Sequence, residues 1–351
     1  MSFDLPNSEQ NKPLHSLLLT IQQEVEARKD GIDEYGTNPY FEKQFQQGDR
    51  SITLLGTKHT DRPVDIEKDV AFYRQTNPDI LLHEGNDIRT VFQDVFPGMT
   101  DDQIKQLNPA IVAKNQEQIF LAWQAWKDGK VVQSWDLSFK GQIEIIAKNH
   151  TPEAIAGFLV SIALGKLYGA ETPISPSKAA IEELLPRVLS KDDMDDLAKI
   201  GIDLSFSSLE SAVQKYLKTS FATLAVRFMD EKLRKEDNGF FHGYFDPAYP
   251  GETNAVLRDM NVVRDQHAID VMEKAKGKYS NILCIAGGSH VRTWGPAVAE
   301  LYRNEEASMR YETGVDEANK TALQKRRKDW RQKQKNNIAD ARQIAQGLKD
   351  K

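Results

Sequence analysis

The sequence predicts an α/β fold, a mainly parallel sheet flanked by helices, with an all-helical insertion and a charged helical C-terminal tail. Three observations predict it. Short apolar runs closed by glycine or an acidic residue alternate with stretches of helical periodicity from about residue 51 to 140. Strand signals are then absent from about residue 141 to 240 and return near residue 281. Beyond about residue 304 the chain is dense in charge and sparse in apolar residues.

Residues 1–50 read as a helical lead-in, with an amphipathic stretch at Leu17, Leu18, Ile21 and Val25 followed by polar sequence of no clear period. Ile52-Thr53-Leu54-Leu55-Gly56 is β-branched, apolar and closed by glycine, the pattern of a buried strand. Ile66, Val70 and Tyr73 recur at helical spacing. Ile80-Leu81-Leu82-His83-Glu84-Gly85 repeats the strand-then-glycine pattern, and Ile88, Val91, Phe92, Val95 and Phe96 trace a helix face up to Pro97-Gly98. Thr100 and Gln103 have capping-box spacing, and Ile119, Phe120, Trp123 and Trp126 mark a helix that ends at Gly129. Val131 to Trp135 is a third strand. A parallel pair cannot be closed by a tight turn, so this alternation implies parallel strands with right-handed crossovers.

Residues 141–240 form the predicted helical insertion, with Ser207 and Glu210 spaced to cap a long helix through Leu217 and Leu224. Within it, Ile155 to Leu167 is apolar nearly all round. A membrane span needs about 20 apolar residues, so this shorter stretch is expected in a core and no integral membrane segment is predicted. The α/β core resumes over residues 241–304. It opens with the aromatic and glycine-rich loop GFFHGYFDPAYPGE, continues as a helix bearing Leu257, Met260, Ala268 and Val271, and ends with the strand Asn281 to Ala286. Residues 305–351 are the charged tail, whose basic run RRKDWRQKQK reads as a solvated helix face.

A hydrophobic fraction of 40% and a charged fraction of 28% describe an ordinary globular protein. The net charge of −6 argues against a nucleic-acid partner, which needs a continuous basic surface, and favours a peptide or small-molecule substrate. The N-terminal sequence MSFDLPNSEQNKPLHS lacks a basic segment followed by an apolar run, so a cytoplasmic location is expected. The single cysteine, Cys284, lies in the apolar run ILCIA and reads as a buried hydrophobe rather than a nucleophile.

Two strands run into the same four-residue pattern: Gly56-Thr57-Lys58-His59 and Gly287-Gly288-Ser289-His290. Ligands of parallel sheets bind beyond the carboxyl ends of the strands, and glycine at the exit allows a sharp turn there. The other two strands end at Glu84 and Asp136. Two histidines and two carboxylates at one sheet edge are a donor set suited to a divalent ion of unspecified identity. Arg264 shares a helix face with Met260 and Ala268 and should point inward, where it must meet a carboxylate or a substrate's negative charge. Arg258, on another face, is the weaker candidate.

In their order these motifs resemble those of the TraB, Tiki, GumN and erythromycin-esterase-like superfamily, whose pattern is two GxxH motifs with a glutamate and an arginine between. LLGTKH ending at His59, ILLHEG with Glu84, GKVVQSWD ending at Asp136, VVRDQHAIDVM with Arg264-Asp265, and ILCIAGGSH ending at His290 carry the resemblance. It covers about residues 51–138 and 250–300. It implies a metal-dependent hydrolase of peptides or esters, with the ion held by His59 and His290. Glu84 would be ligand or general base, Asp136 a ligand or the support of one, and Arg264 the binder of a substrate carboxylate or an oxyanion. The same resemblance allows a non-catalytic module that captures a small molecule or peptide in the same pocket.

Overall fold

A computed structural model describes residues 12–21, 23, 41–57, 63–113, 116–167, 189, 191–217 and 251–303. They fall into two compact units: one built from residues up to Ser138 and from Arg264 onward, the other from Phe139–Val263. Lys58 and His59, the helix beyond Leu217 and the C-terminal tail lie outside the described residues.

The first unit is a five-stranded sheet in the order β1-β2-β5-β3-β4. Its strands are β1 (Phe41–Gln47), β2 (Arg50–Thr57), β3 (Ile80–His83), β4 (Val131–Ser134) and β5 (Asn281–Gly287). β2, β5, β3 and β4 run parallel, and β1 pairs antiparallel with β2 at one edge. The mainly parallel α/β architecture is thus present. The central strands β3 and β5 are nearly solid apolar runs because both faces are covered.

Each crossover lies where its apolar face sends it. Helices α2 (Pro63–Thr76), α3 (Ile88–Val95), α4 (Asp101–Lys105), α5 (Pro109–Val112) and α6 (Gln116–Lys127) belong to the segments that join β2 to β3 and β3 to β4. Ile66, Phe92, Ile104, Val112 and Trp123 from them share a core with Leu55, Leu81 and Ile285. β5 then enters between β2 and β3, which reverses the direction of travel along the sheet. A right-handed crossover places its helix on the opposite face in that case. There Ala268, Ile269 and Met272 of α11 (Glu252–Lys276) and Val291, Trp294 and Val298 of α12 (Gly288–Leu301) pack on Leu54, Leu82 and Cys284. The predicted capping box forms in full, with Thr100 and Gln103 exchanging side-chain and backbone bonds.

The N-terminal region is helical in part. The segment around Leu17 and Leu18 starts with a short helix, α1 (Lys12–His15), continues in turns, and is helical again at Ile21 and Gln23. Leu14 and Leu18 pack on the α11 and α12 core, His15 Nε2 lies 2.8 Å from Asp270 Oδ1, and Leu17 is left 39% exposed. β1 was not anticipated, because Phe41-Glu42-Lys43-Gln44-Phe45 offers just two apolar residues. Its alternation and the two-residue turn Gly48-Asp49, with Gly48 at φ +61°, are the hairpin signal.

Among the described residues the second unit is helical: α7 (Phe139–Ile146), α8 (Pro152–Leu167), α9 (Lys191–Lys199), α10 (Phe206–Ala212) and the first part of α11, with a π-helical turn at Val213–Leu217. Ala154 to Val160 are buried in its core with Leu197, Leu209 and Val256, the place expected for the apolar stretch. Ser205, rather than Ser207, caps α10 by accepting from the Ser208 amide. Among the described residues no helix is long and apolar enough to cross a membrane.

Candidate functional site

Four of the five sequence-predicted residues lie at the carboxyl end of the sheet in the first unit. Glu84 follows β3 directly, Asp136 stands two residues beyond β4, His290 is the third residue of α12, and Arg264 sits midway along α11. His59 lies outside the described residues. The loop after β3 needs Gly85, whose φ of +89° is left-handed. Gly56 stays within β2, whose exit lies outside the described residues, while β5 passes directly into α12 at Gly287, the helix N-cap, with φ −57°.

Arg264 joins the two carboxylates. Its Nε donates to Asp136 Oδ1 at 2.8 Å, while Nη2 donates to Asp136 Oδ2 at 2.6 Å and to Glu84 Oε1 at 2.7 Å. The Asp136 contact is the bidentate fork that guanidinium geometry favours. The second Glu84 oxygen is held by the Gly287 amide at 3.2 Å and by Gln118 Nε2 at 3.4 Å. Gln118 reaches over from α6 and also donates to Thr57 Oγ1 at 2.9 Å. Ser134 fastens the two strand ends together, donating to the Gly85 carbonyl and accepting from the Asp136 amide at 3.0 Å. Burial opposes the charge on Arg264, but the Asp136 and Glu84 carboxylates outweigh it and raise the pKa above its ordinary value.

His290 is organised by a residue whose role the sequence did not suggest. Its Nδ1 lies 2.6 Å from Asp265 Oδ1, the same oxygen that accepts from Trp294 Nε1 at 2.6 Å. Trp135, anchored by its Nε1 on the Ile285 carbonyl at 2.8 Å, connects the two halves of the site. The Arg264 guanidinium lies 5.5 Å from its ring and the imidazole of His290 also 5.5 Å, while Trp294 packs edge-on at 4.8 Å. Burial alone would lower the His290 pKa, yet the Asp265 carboxylate overcomes this and raises it.

No family model, curated protein or solved structure matches this chain.

Asp265, Gln118, Thr57, Trp135 and Trp294 are the residues that sequence reasoning did not assign. Asp265 could have been found, since it adjoins Arg264 in a helix, and Trp294 falls four residues after His290 on one face of α12. Gln118 and Thr57 carry no such signal. One further polar group lies beneath the site. His83 is fully buried, with Nδ1 2.9 Å from the Glu84 carbonyl and no partner at Nε2 among the described residues, and its burial lowers its pKa. Cys284 is buried, and its thiol pKa is pushed up by that burial, as expected of a structural cysteine.

Among the described residues no three His, Cys, Asp or Glu side chains are grouped to hold a metal ion. His290 and Glu84 are suitable donors in kind, an imidazole whose Nδ1 is fixed by a carboxylate and a carboxylate at a strand end. A complete ligand set would have to include a residue such as His59.

Proposed function

We propose that this chain is a hydrolase that directs water onto a peptide or ester bond, with Glu84, Asp136, Arg264 and His290 as the working residues. The observation that carries the reading is the gathering of two carboxylates, an arginine and a carboxylate-bound histidine around Trp135. It lies at the carboxyl end of a parallel sheet, where such folds bind ligands. The motif resemblance supports the same chemistry.

In this reading a base takes one proton from water as its oxygen attacks the carbonyl carbon, and the proton then passes to the leaving nitrogen or oxygen. Glu84 serves as that base or as a ligand of the ion, and Arg264, the Gly287 amide and Gln118 hold its oxygens in place. Asp136 holds Arg264 in place, and the guanidinium offsets the negative charge that grows on the carbonyl oxygen. A divalent ion held by His59 and His290, with Glu84 as a further donor, would supply carbonyl polarisation and a more acidic water.

Glu84→Gln tests the assignment, because it keeps the shape and removes the charge. As a base, Glu84 is lost with turnover of ester and peptide substrates reduced about a hundredfold or more while bound metal persists. As a ligand, it is lost with metal content and turnover falling together. Wild-type protein that turns over no ester or peptide with any added divalent ion, yet retains a small molecule tightly, would identify a binding module instead.

A further inference from the structure

Histidine chemistry depends on which ring nitrogen carries the proton, and that is set by the partner of the other nitrogen. An ionised carboxylate only accepts, and an indole N–H only donates. Asp265 Oδ1 receives the Trp294 indole at 2.6 Å and faces His290 Nδ1 at 2.6 Å, so the imidazole must donate from Nδ1. Both are short, charge-assisted contacts. The ring plane is held as well, since His290 lies 5.5 Å from Trp135 and 5.6 Å from Trp294, centroid to centroid. Asp265 itself is buried on α11, next to the arginine that gathers Glu84 and Asp136. One turn of α12 separates His290 from Trp294, so a single acidic side chain of α11 can take a donor from each.

We infer that Asp265 is a positioning residue that fixes His290 as its Nδ1–H tautomer and leaves Nε2 as the atom that works at the strand edge, a role that rests on the hydrolytic reading. Trp294 assists by holding the accepting oxygen still. Imidazole in water prefers its proton on Nε2, so the clamp selects the less populated form. It presents a lone pair where a proton must be taken up or an electrophile bound.

Nitrogen-proton correlation spectra of the full chain, labelled at histidine and dialysed against a chelator in mildly alkaline buffer, read the tautomer directly. The His290 signal is the one missing from His290→Gln. The wild-type spectrum should show Nδ1 protonated and Nε2 bare, and Asp265→Ala should move the proton toward Nε2. A wild-type imidazole protonated on Nε2, or an unchanged tautomer in the alanine variant, overturns the assignment. Should the alanine variant not fold, the wild-type spectrum decides alone. No substrate is needed, so a wrong hydrolytic reading would remove turnover and leave the tautomer as inferred.

Discussion

Replacing Arg264 by alanine removes the guanidinium that binds both Glu84 and Asp136. Their side chains are only 16% and 8% exposed, so water cannot take over the guanidinium's part. Breaking a buried pair by removing one partner costs about 3–5 kcal/mol, and Arg264→Ala should lose that much in denaturant unfolding. Arg264→Lys should recover only part of it, since one ammonium cannot reproduce a fork that spans two carboxylates. A loss below about 1 kcal/mol would mean the cluster is solvated like a surface pair. From the sequence, an arginine on an apolar helix face had to meet a carboxylate or a substrate's negative charge. Which carboxylates could not be read, because Asp136 and Glu84 stand 128 and 180 positions away.

At the scale of elements, the loop after β3 and the strand β5 each give a test. Gly85 has open space around a built Cβ, so Gly85→Ala meets no clash and its cost is conformational. A left-handed φ costs an ordinary residue about 1–2 kcal/mol, which should appear in the unfolding midpoint, with turnover reduced because Glu84 is the preceding residue. β5 runs between β2 and β3 and buries Cys284 completely. With one cysteine in the chain, thiol labelling should be negligible in native buffer and should rise in step with global unfolding. Fast labelling of the folded protein would show that β5 opens on its own. β2, β3 and β5 were legible because each carries a buried apolar run, and β4, VVQS, because it follows the helix end at Gly129 in the strand–helix alternation. β1 was not, because an edge strand with one buried aromatic, Phe45, leaves too short a pattern.

For the whole molecule, the tail offers the simplest experiment. Its apolar residues are too few to anchor it, so truncation after Asn304 should leave cooperative unfolding with an almost unchanged midpoint. A broadened or lost transition would show that the tail packs on the rest. The sequence by itself determined the α/β class, the helical character of residues 141–167 and 191–217 and the strand ends that carry Glu84 and Asp136. Those features follow from local periodicity and from the rule that parallel sheets expose their carboxyl ends. Only the tertiary structure decided that Arg264 serves both carboxylates, that Asp265 and Trp294 hold His290, and that Gln118 crosses the sheet edge to Glu84. These are pairings between side chains distant in sequence, and no local pattern encodes a partner. The insertion of β5 between β2 and β3 makes the Arg264 pairings, because it brings the chain from residue 264 onward to the ends of strands that were built before residue 140.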